Sequence, residues 1–124
     1  MLATTLCYGL GGIEGVQITV EVNLSAGLPM FDIVGLPDAA VKEARERIRA
    51  ALKNRGYAFP GDRITVNLAP ADLKKEGPAF DLPIAVGILA CTRKVNPASI
   101  ADTAILGELA LDGMLRPVRG ALPI

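Results

Sequence analysis

The sequence predicts an α+β domain, a mixed sheet covered by two main helices. Three features point there. Strands group in runs, in the order β-β-β-α-β-α-β-β, with alternation clearest in residues 16–24 and 63–69. Two helical stretches fall among them. The second helix is apolar nearly all round, so it must be buried. At 124 residues the chain suits one domain with one sizeable core.

Each element has its own signal. Leu2 to Tyr8 is rich in Thr and apolar residues and reads as a strand. The glycines around Leu10 and Glu14 mark a hairpin loop after it. In residues 16–24, VQITVEVNL, the side chains of Val16, Ile18, Val20, Val22 and Leu24 point one way. Gln17, Thr19, Glu21 and Asn23 point the other, as in a half-buried strand. Ser25-Ala26-Gly27 is a turn, and Met30 to Val34 a third strand. A helix then covers 38–55, with Asp38 as N-cap, Val41, Ala44, Ile48, Ala51 and Leu52 on its apolar face, and Gly56 as the stop. Ile64, Val66 and Leu68 alternate inward in a fourth strand, 63–69. The loop 70–78 leads into the second helix, from about Ala79 to Arg93, where Pro83 is tolerable only in the first turn. Thr103 to Leu109 and Met114 to Val118 form a last hairpin, with Asp112-Gly113 as a type I′ turn. The apolar end, PVRGALPI, has no stop signal, so a downstream domain is expected.

Composition removes several function classes. Thirteen basic and thirteen acidic residues leave a formal net charge of zero, which argues against bulk capture of nucleic acid or anionic membrane but not against a local patch. Without a histidine there is no Ser-His-Asp or Cys-His machinery and no His proton shuttle. Cys7 and Cys91 each sit in an apolar stretch and read as buried, reduced thiols. The N-terminus lacks a basic segment before its apolar run, and the longest apolar run, Leu82 to Cys91, is too short to span a bilayer. A cytoplasmic protein without membrane contact is the expectation.

Two places could carry chemistry. The first helix aligns Lys42, Arg45, Arg49 and Lys53, but interleaved Glu43 and Glu46 favour a solvated face with i,i+4 pairs such as Glu43–Arg47. The loop 70–78 holds Asp72, Lys74, Lys75 and Glu76 just before the N-terminus of the buried helix, where free N–H groups could meet an anion. No Gly-Lys pair exists, so this stretch cannot bind ATP through a Walker A loop.

The segment ITVNLAPADLKKEGPAFDLPIAVGIL, followed by AILGELALDGMLRPVRGALPI, resembles the N-terminal domain of the ComM/YifB family, catalogued as magnesium-chelatase ChlI-subunit-like proteins. The opening residues match as well, so the resemblance covers essentially the whole chain. It implies the fold of ribosomal protein S5 domain 2, shared with the Lon protease domain and the C-terminal domain of RadA/Sms. It also implies a following AAA+ ATPase module, where ATP and Mg2+ would bind; no cofactor or metal is expected in residues 1–124. The family's best-described role is a hexameric, ATP-driven DNA branch-migration helicase in recombination and natural transformation.

The Lon likeness bears on catalysis. Lon-type peptidases carry a nucleophilic Ser after Gly-Pro at the entry to the buried helix, and a Lys after the last strand pair. Here Ala79 follows Gly77-Pro78, and Leu122 stands at the Lys position. Neither can do the chemistry, so a non-catalytic accessory domain is expected. Phe80-Asp81-Leu82 instead resembles the RadA-type version, a non-peptidase. The leading expectation is a module for ring assembly and DNA engagement, its partners being its own AAA+ module, further copies in a hexamer, and single-stranded or branched DNA. Lys74, Lys75, Arg116 and Arg119 are the candidate DNA contacts. The alternatives are a protein- or peptide-binding domain using a degenerate Lon-like groove, with an apolar groove near Phe80, or a domain of a genuine magnesium chelatase.

Overall fold

The structure, a computed structural model, describes residues 1–9, 16–69, 80–100, 105 and 108–116. The elements are β1 (Leu2–Gly9), β2 (Val16–Ser25), β3 (Met30–Val34), α1 (Asp38–Asn54), β4 (Arg63–Ala69), α2 (Asp81–Cys91), a one-turn α3 (Pro97–Ile100), β5 (Glu108–Leu109) and β6 (Leu115–Arg116). The main sheet runs β1-β2-β4-β3. β1 with β2 and β2 with β4 are antiparallel, while β3 and β4, joined through α1, are parallel. The sheet is therefore mixed, and α1 supplies the crossover that a parallel pair needs. The α+β class with two main helices holds. The short α3 is an addition to the expected order.

Alternation sets the sheet's inner face. Ala3, Cys7, Ile18, Val20, Val22, Phe31, Ile33, Ile64, Val66 and Leu68 are all buried. Register aligns them in rows, such as Ala3, Val22, Val66 and Ile33 across the four strands. α2 lies over β1 and β2, and α1 packs against α2 and β3. The buried Thr5 hydroxyl, the polar member of this face, donates to the Pro83 carbonyl at 3.1 Å, so its burial is compensated. Proline is the third residue of α2, where its missing N–H costs nothing.

Two local expectations need correction. Asp38 is the first helical residue rather than the N-cap. Pro37, extended at φ −61° and ψ 153°, occupies the cap position, and no side chain caps the helix. The Pro37 carbonyl accepts from Val41 at 3.0 Å, so the Asp38 carboxylate acts only on the helix dipole. The last hairpin is not type I′, which needs positive φ at both central residues. Only Gly113 of its turn has positive φ, +87°. Gly113 donates to Ala110 at 2.9 Å and Ala110 to Met114 at 2.8 Å, which closes a three-residue loop with glycine at its left-handed position. The expected strand residues 103, 104, 106, 107, 117 and 118 lie outside the described residues.

The helix ends follow their expected chemistry with one exception. After α1, Gly56 at φ +82° donates to Lys53 and Tyr57 donates to Leu52, a Schellman closure. After α2, Arg93 and Lys94 make the same two bonds, to Ala90 and Leu89. There the left-handed residue is Arg93, at φ 65°, and it ends the helix earlier than the periodicity predicted. Both cysteines are free and buried, and the Cys91 thiol donates to the Val22 carbonyl. No helix among the described residues is long and apolar enough to cross a membrane.

Two substitutions probe this packing. Gly87 is where α2 meets β2: an added Cβ would lie 2.5 Å from Val22 Cγ2. Alanine gains about 1 kcal/mol of helix propensity, but a rigid, fully buried valine must move, at about 1–3 kcal/mol. Urea unfolding of Gly87→Ala should show a net loss; a net gain would mean that the helix and sheet part freely there. Burial also pushes the Cys7 thiol from the ordinary 9.0 up to about 12. A folded value above the unfolded one keeps its full stabilisation below pH 9 and loses it as pH climbs toward 12. The slope is about 1.4 kcal/mol per pH unit. Cys7→Ala should lack this part of the alkaline decline when unfolding midpoints are compared across that range.

Candidate functional site at the junction of the two helices

The residues singled out from the sequence are not brought together by what is described. Lys74, Lys75, Ala79, Arg119 and Leu122 lie outside the described residues. Arg116 belongs to β6, its backbone registered with Glu108, and its side chain lies outside them. Phe80, expected near an apolar groove, is buried in the core.

A different cluster forms where α2 begins. Asp81, in the first turn of an otherwise apolar helix, is 1% exposed. Its partner is Arg47, three residues beyond the buried Ala44 on α1. Arg47 Nε donates to Asp81 Oδ2 at 2.5 Å, and Nη2 donates to Oδ1 at 3.2 Å. This two-pronged geometry uses the planar fork that only arginine offers. One turn back on α1, the Glu43 carboxylate lies 3.8 Å from Arg47 Nη1. The hydrogen bonds from Arg47 to Asp81 raise the guanidinium pKa, and the charges of Asp81 and Glu43 add to this while burial opposes it. Arg47 therefore links a sealed carboxylate to solvent.

Beside this pair runs a groove of about 720 Å³. Its apolar lining comes from Ala39, Ala50 and Leu111; its polar lining comes from Lys42, Glu43, Glu46 and Arg47. Leu111 reaches the groove from the last hairpin, which is tied to α1 by the Asn54 amide donating to the Leu111 carbonyl at 2.7 Å. Mixed charge on apolar walls suits recognition of a polypeptide surface. Among the described residues, no group of three or more His, Cys, Asp or Glu is placed to hold a metal ion.

The basic stripe of α1 divides. Arg45 donates to the Phe31 carbonyl at 3.3 Å, and the Arg49 guanidinium lies 5.2 Å from the Phe59 ring centroid. Phe59 in turn stacks on Phe31 at 5.8 Å. These two arginines hold β3 and the loop after α1 in place, while Lys42 and Lys53 remain exposed. Sequence reasoning missed the Arg47–Asp81 pair. A carboxylate in a helix that must be buried signals a cation partner, but nothing local says which residue, 34 positions away, supplies it.

Removing Arg47 strips a buried carboxylate of its cation, so Arg47→Met should cost about 3–5 kcal/mol in urea unfolding. Asp81→Asn should cost less, because Arg47, its side chain 30% exposed, can still reach Glu43 and water. Equal losses would refute this asymmetry.

Comparison with known proteins follows the same outline. The family described as subunit ChlI of Mg-chelatase matches residues 20–124. The protein YifB of Salmonella typhimurium is 51% identical over 111 residues, covering 90% of this chain and 22% of YifB. Competence protein ComM of Haemophilus influenzae is 51% identical over 112 residues, again 90% of this chain and 22% of the relative. A protein of Mycobacterium tuberculosis is 44% identical over 122 residues, 98% of this chain and 24% of that protein. The chain thus spans less than a quarter of the length of these curated relatives, and for YifB and ComM the matched part is N-terminal. By the family match, and by its likeness to YifB and ComM, the chain belongs to the family of the ChlI subunit of Mg-chelatase.

Proposed function

We propose that the chain is the N-terminal accessory domain of a ComM/YifB-type AAA+ ATPase in the cytoplasm. In this reading it adopts the S5-domain-2 fold of Lon-like domains and aids hexameric ring assembly and DNA engagement during ATP-driven branch migration. The observation that carries the proposal is the 51% identity to the competence protein over 90% of this chain. A match to only 22% of that relative leaves most of the length for a motor, where ATP and Mg2+ would act. The domain itself is non-catalytic in this reading, because Ala79 has no nucleophilic oxygen and Leu122 no basic nitrogen.

A second reading is supported by the groove beside Arg47. Its apolar walls and its charges of both signs fit a protein segment, either a partner's or the motor's own. Salt separates the two readings. Nucleic-acid affinity falls steeply as salt rises, whereas a contact dominated by apolar walls changes little.

Fluorescence anisotropy of this chain with single-stranded and branched DNA, titrated in salt, tests direct engagement. Binding should weaken with salt, and Lys74→Ala/Lys75→Ala should reduce the log–log slope by about 1.4 on a single strand. Absence of binding at low salt would overturn direct engagement and leave ring assembly or partner recruitment.

A further inference from the structure

α1 and α2 run in the same direction. Arg47, past the middle of α1, meets the start of α2, and further along Leu52 and Gly56 share a groove with Ile88, Leu89 and Thr92. The two C-termini therefore sit side by side, next to the start of β4. Exposed cations collect there: Lys53 in the last turn of α1, Arg55 just after it, and Arg93 and Lys94 after α2. Across 53–63 and 92–96, Asp62 is the sole carboxylate, and the exposed Asp112 of the last hairpin adjoins Gly113, against which the Arg55 side chain lies. Among the described residues, this end thus carries four cations against two carboxylates. The N-terminal half of α1 carries Asp38, Glu43 and Glu46 beside Lys42, all exposed.

Helix dipoles explain part of this cluster. Each C-terminus presents about half a negative charge, so two together present about one. Four cations at the helix ends exceed that demand. Arg93 is the more pointed observation. It occupies the left-handed position, φ 65°, that glycine takes after α1 at Gly56. A non-glycine residue is strained there, so the side chain is retained against a local conformational cost. Between the helix ends lies a groove of about 520 Å³, lined in part by Tyr57, Phe59 and Lys94. Tyr57 is 38% exposed. Cations around a groove with an accessible aromatic ring form the combination that holds single strands, with phosphates on the charges and a base on the ring. A flat anionic vesicle would use the cations but not a ring recessed in a groove.

We propose that this end of the domain binds single-stranded DNA, the backbone running over Lys53, Arg55, Arg93 and Lys94 and a base stacking on Tyr57. The proposal rests on the DNA-engagement reading above and locates the contact on residues other than Lys74, Lys75, Arg116 and Arg119.

The test uses the 124-residue chain and fluorescein-labelled oligothymidine. Arg93→Gly should raise the urea midpoint of unfolding while weakening DNA binding, a pair of changes that misfolding cannot produce. Arg93→Gly/Lys94→Ala should reduce the log–log salt slope by about 1.4. Tyr57→Ala should weaken binding about 5- to 150-fold, with Tyr57→Phe near the parent. Oligonucleotide carrying bromodeoxyuridine should photo-crosslink to the peptide containing Tyr57. If the parent binds and these variants bind equally well while Lys74→Ala/Lys75→Ala does not, this site is wrong and the broader reading stands. If polyglutamate or anionic vesicles compete as well as DNA, and Tyr57→Ala has no effect, the surface is a general anion site and the proposal fails. If the parent binds no DNA at low salt, both readings of direct engagement fall.

Discussion

The arrangement of the two helices turns on one buried charge. α2 is apolar on nearly every side and covers the inner face of β1 and β2, yet its first turn carries Asp81 sealed from solvent. An ionised carboxylate cannot stay there alone. Arg47 answers it from α1 with two hydrogen bonds, and a forked guanidinium meets both carboxylate oxygens at only one axial offset between the helices. Apolar contacts alone would let α1 slide along α2 by part of a turn at little cost. The ion pair thus acts on register more than on total stability, since an apolar pair of similar volume would stabilise about as well.

Other features follow from that offset. Ala51 and Leu52 come to lie beside Ala85 and Leu89, and the tip of the last hairpin settles on the end of α1. A Cβ on Gly113 would lie 3.0 Å from the Ala51 carbonyl and collide with the Arg55 side chain. The hairpin in turn places Leu111 in the wall of the groove beside Arg47. The groove and the buried pair are therefore parts of one packing arrangement.

The sheet was legible in the sequence because its determinants are local. Val20, Val22, Val66 and Leu68 alternate with polar neighbours, and a two-residue period admits one structure. The apolar face of α1 was legible for the same reason. What could not be read depended on geometry between distant residues or on backbone dihedrals. Asp38 has the right side chain for an N-cap, but Pro37 fixes the entry of the chain and takes that position. Asp112-Gly113 has the composition of a type I′ turn, yet the two flanking bonds close a three-residue loop instead. Arg45 and Arg49 looked like solvated charges until Phe31 and Phe59 were placed beside them. Of the candidate DNA contacts, only the backbone of Arg116 falls within the described residues, so family likeness rather than geometry supports that set.

Zero net charge is a sum, and the fold decides how its terms are distributed. Because the two helices run in the same direction, both negative dipole ends reach one end of the domain, and cations there are favourable on structural grounds alone. Charge at helix C-termini is therefore weak evidence of a ligand. Backbone conformation discriminates better. A cation needed only for the dipole could occupy any position in the last turn without strain, as Lys53 does in α1. Arg93 sits instead in the left-handed position of a Schellman closure, beside Lys94 and the groove that Tyr57 helps to line. Glycine would close the helix equally well there and relieve the strain. What glycine lacks is a side chain that reaches outward, so the strain at Arg93 points to a role in contact rather than in folding.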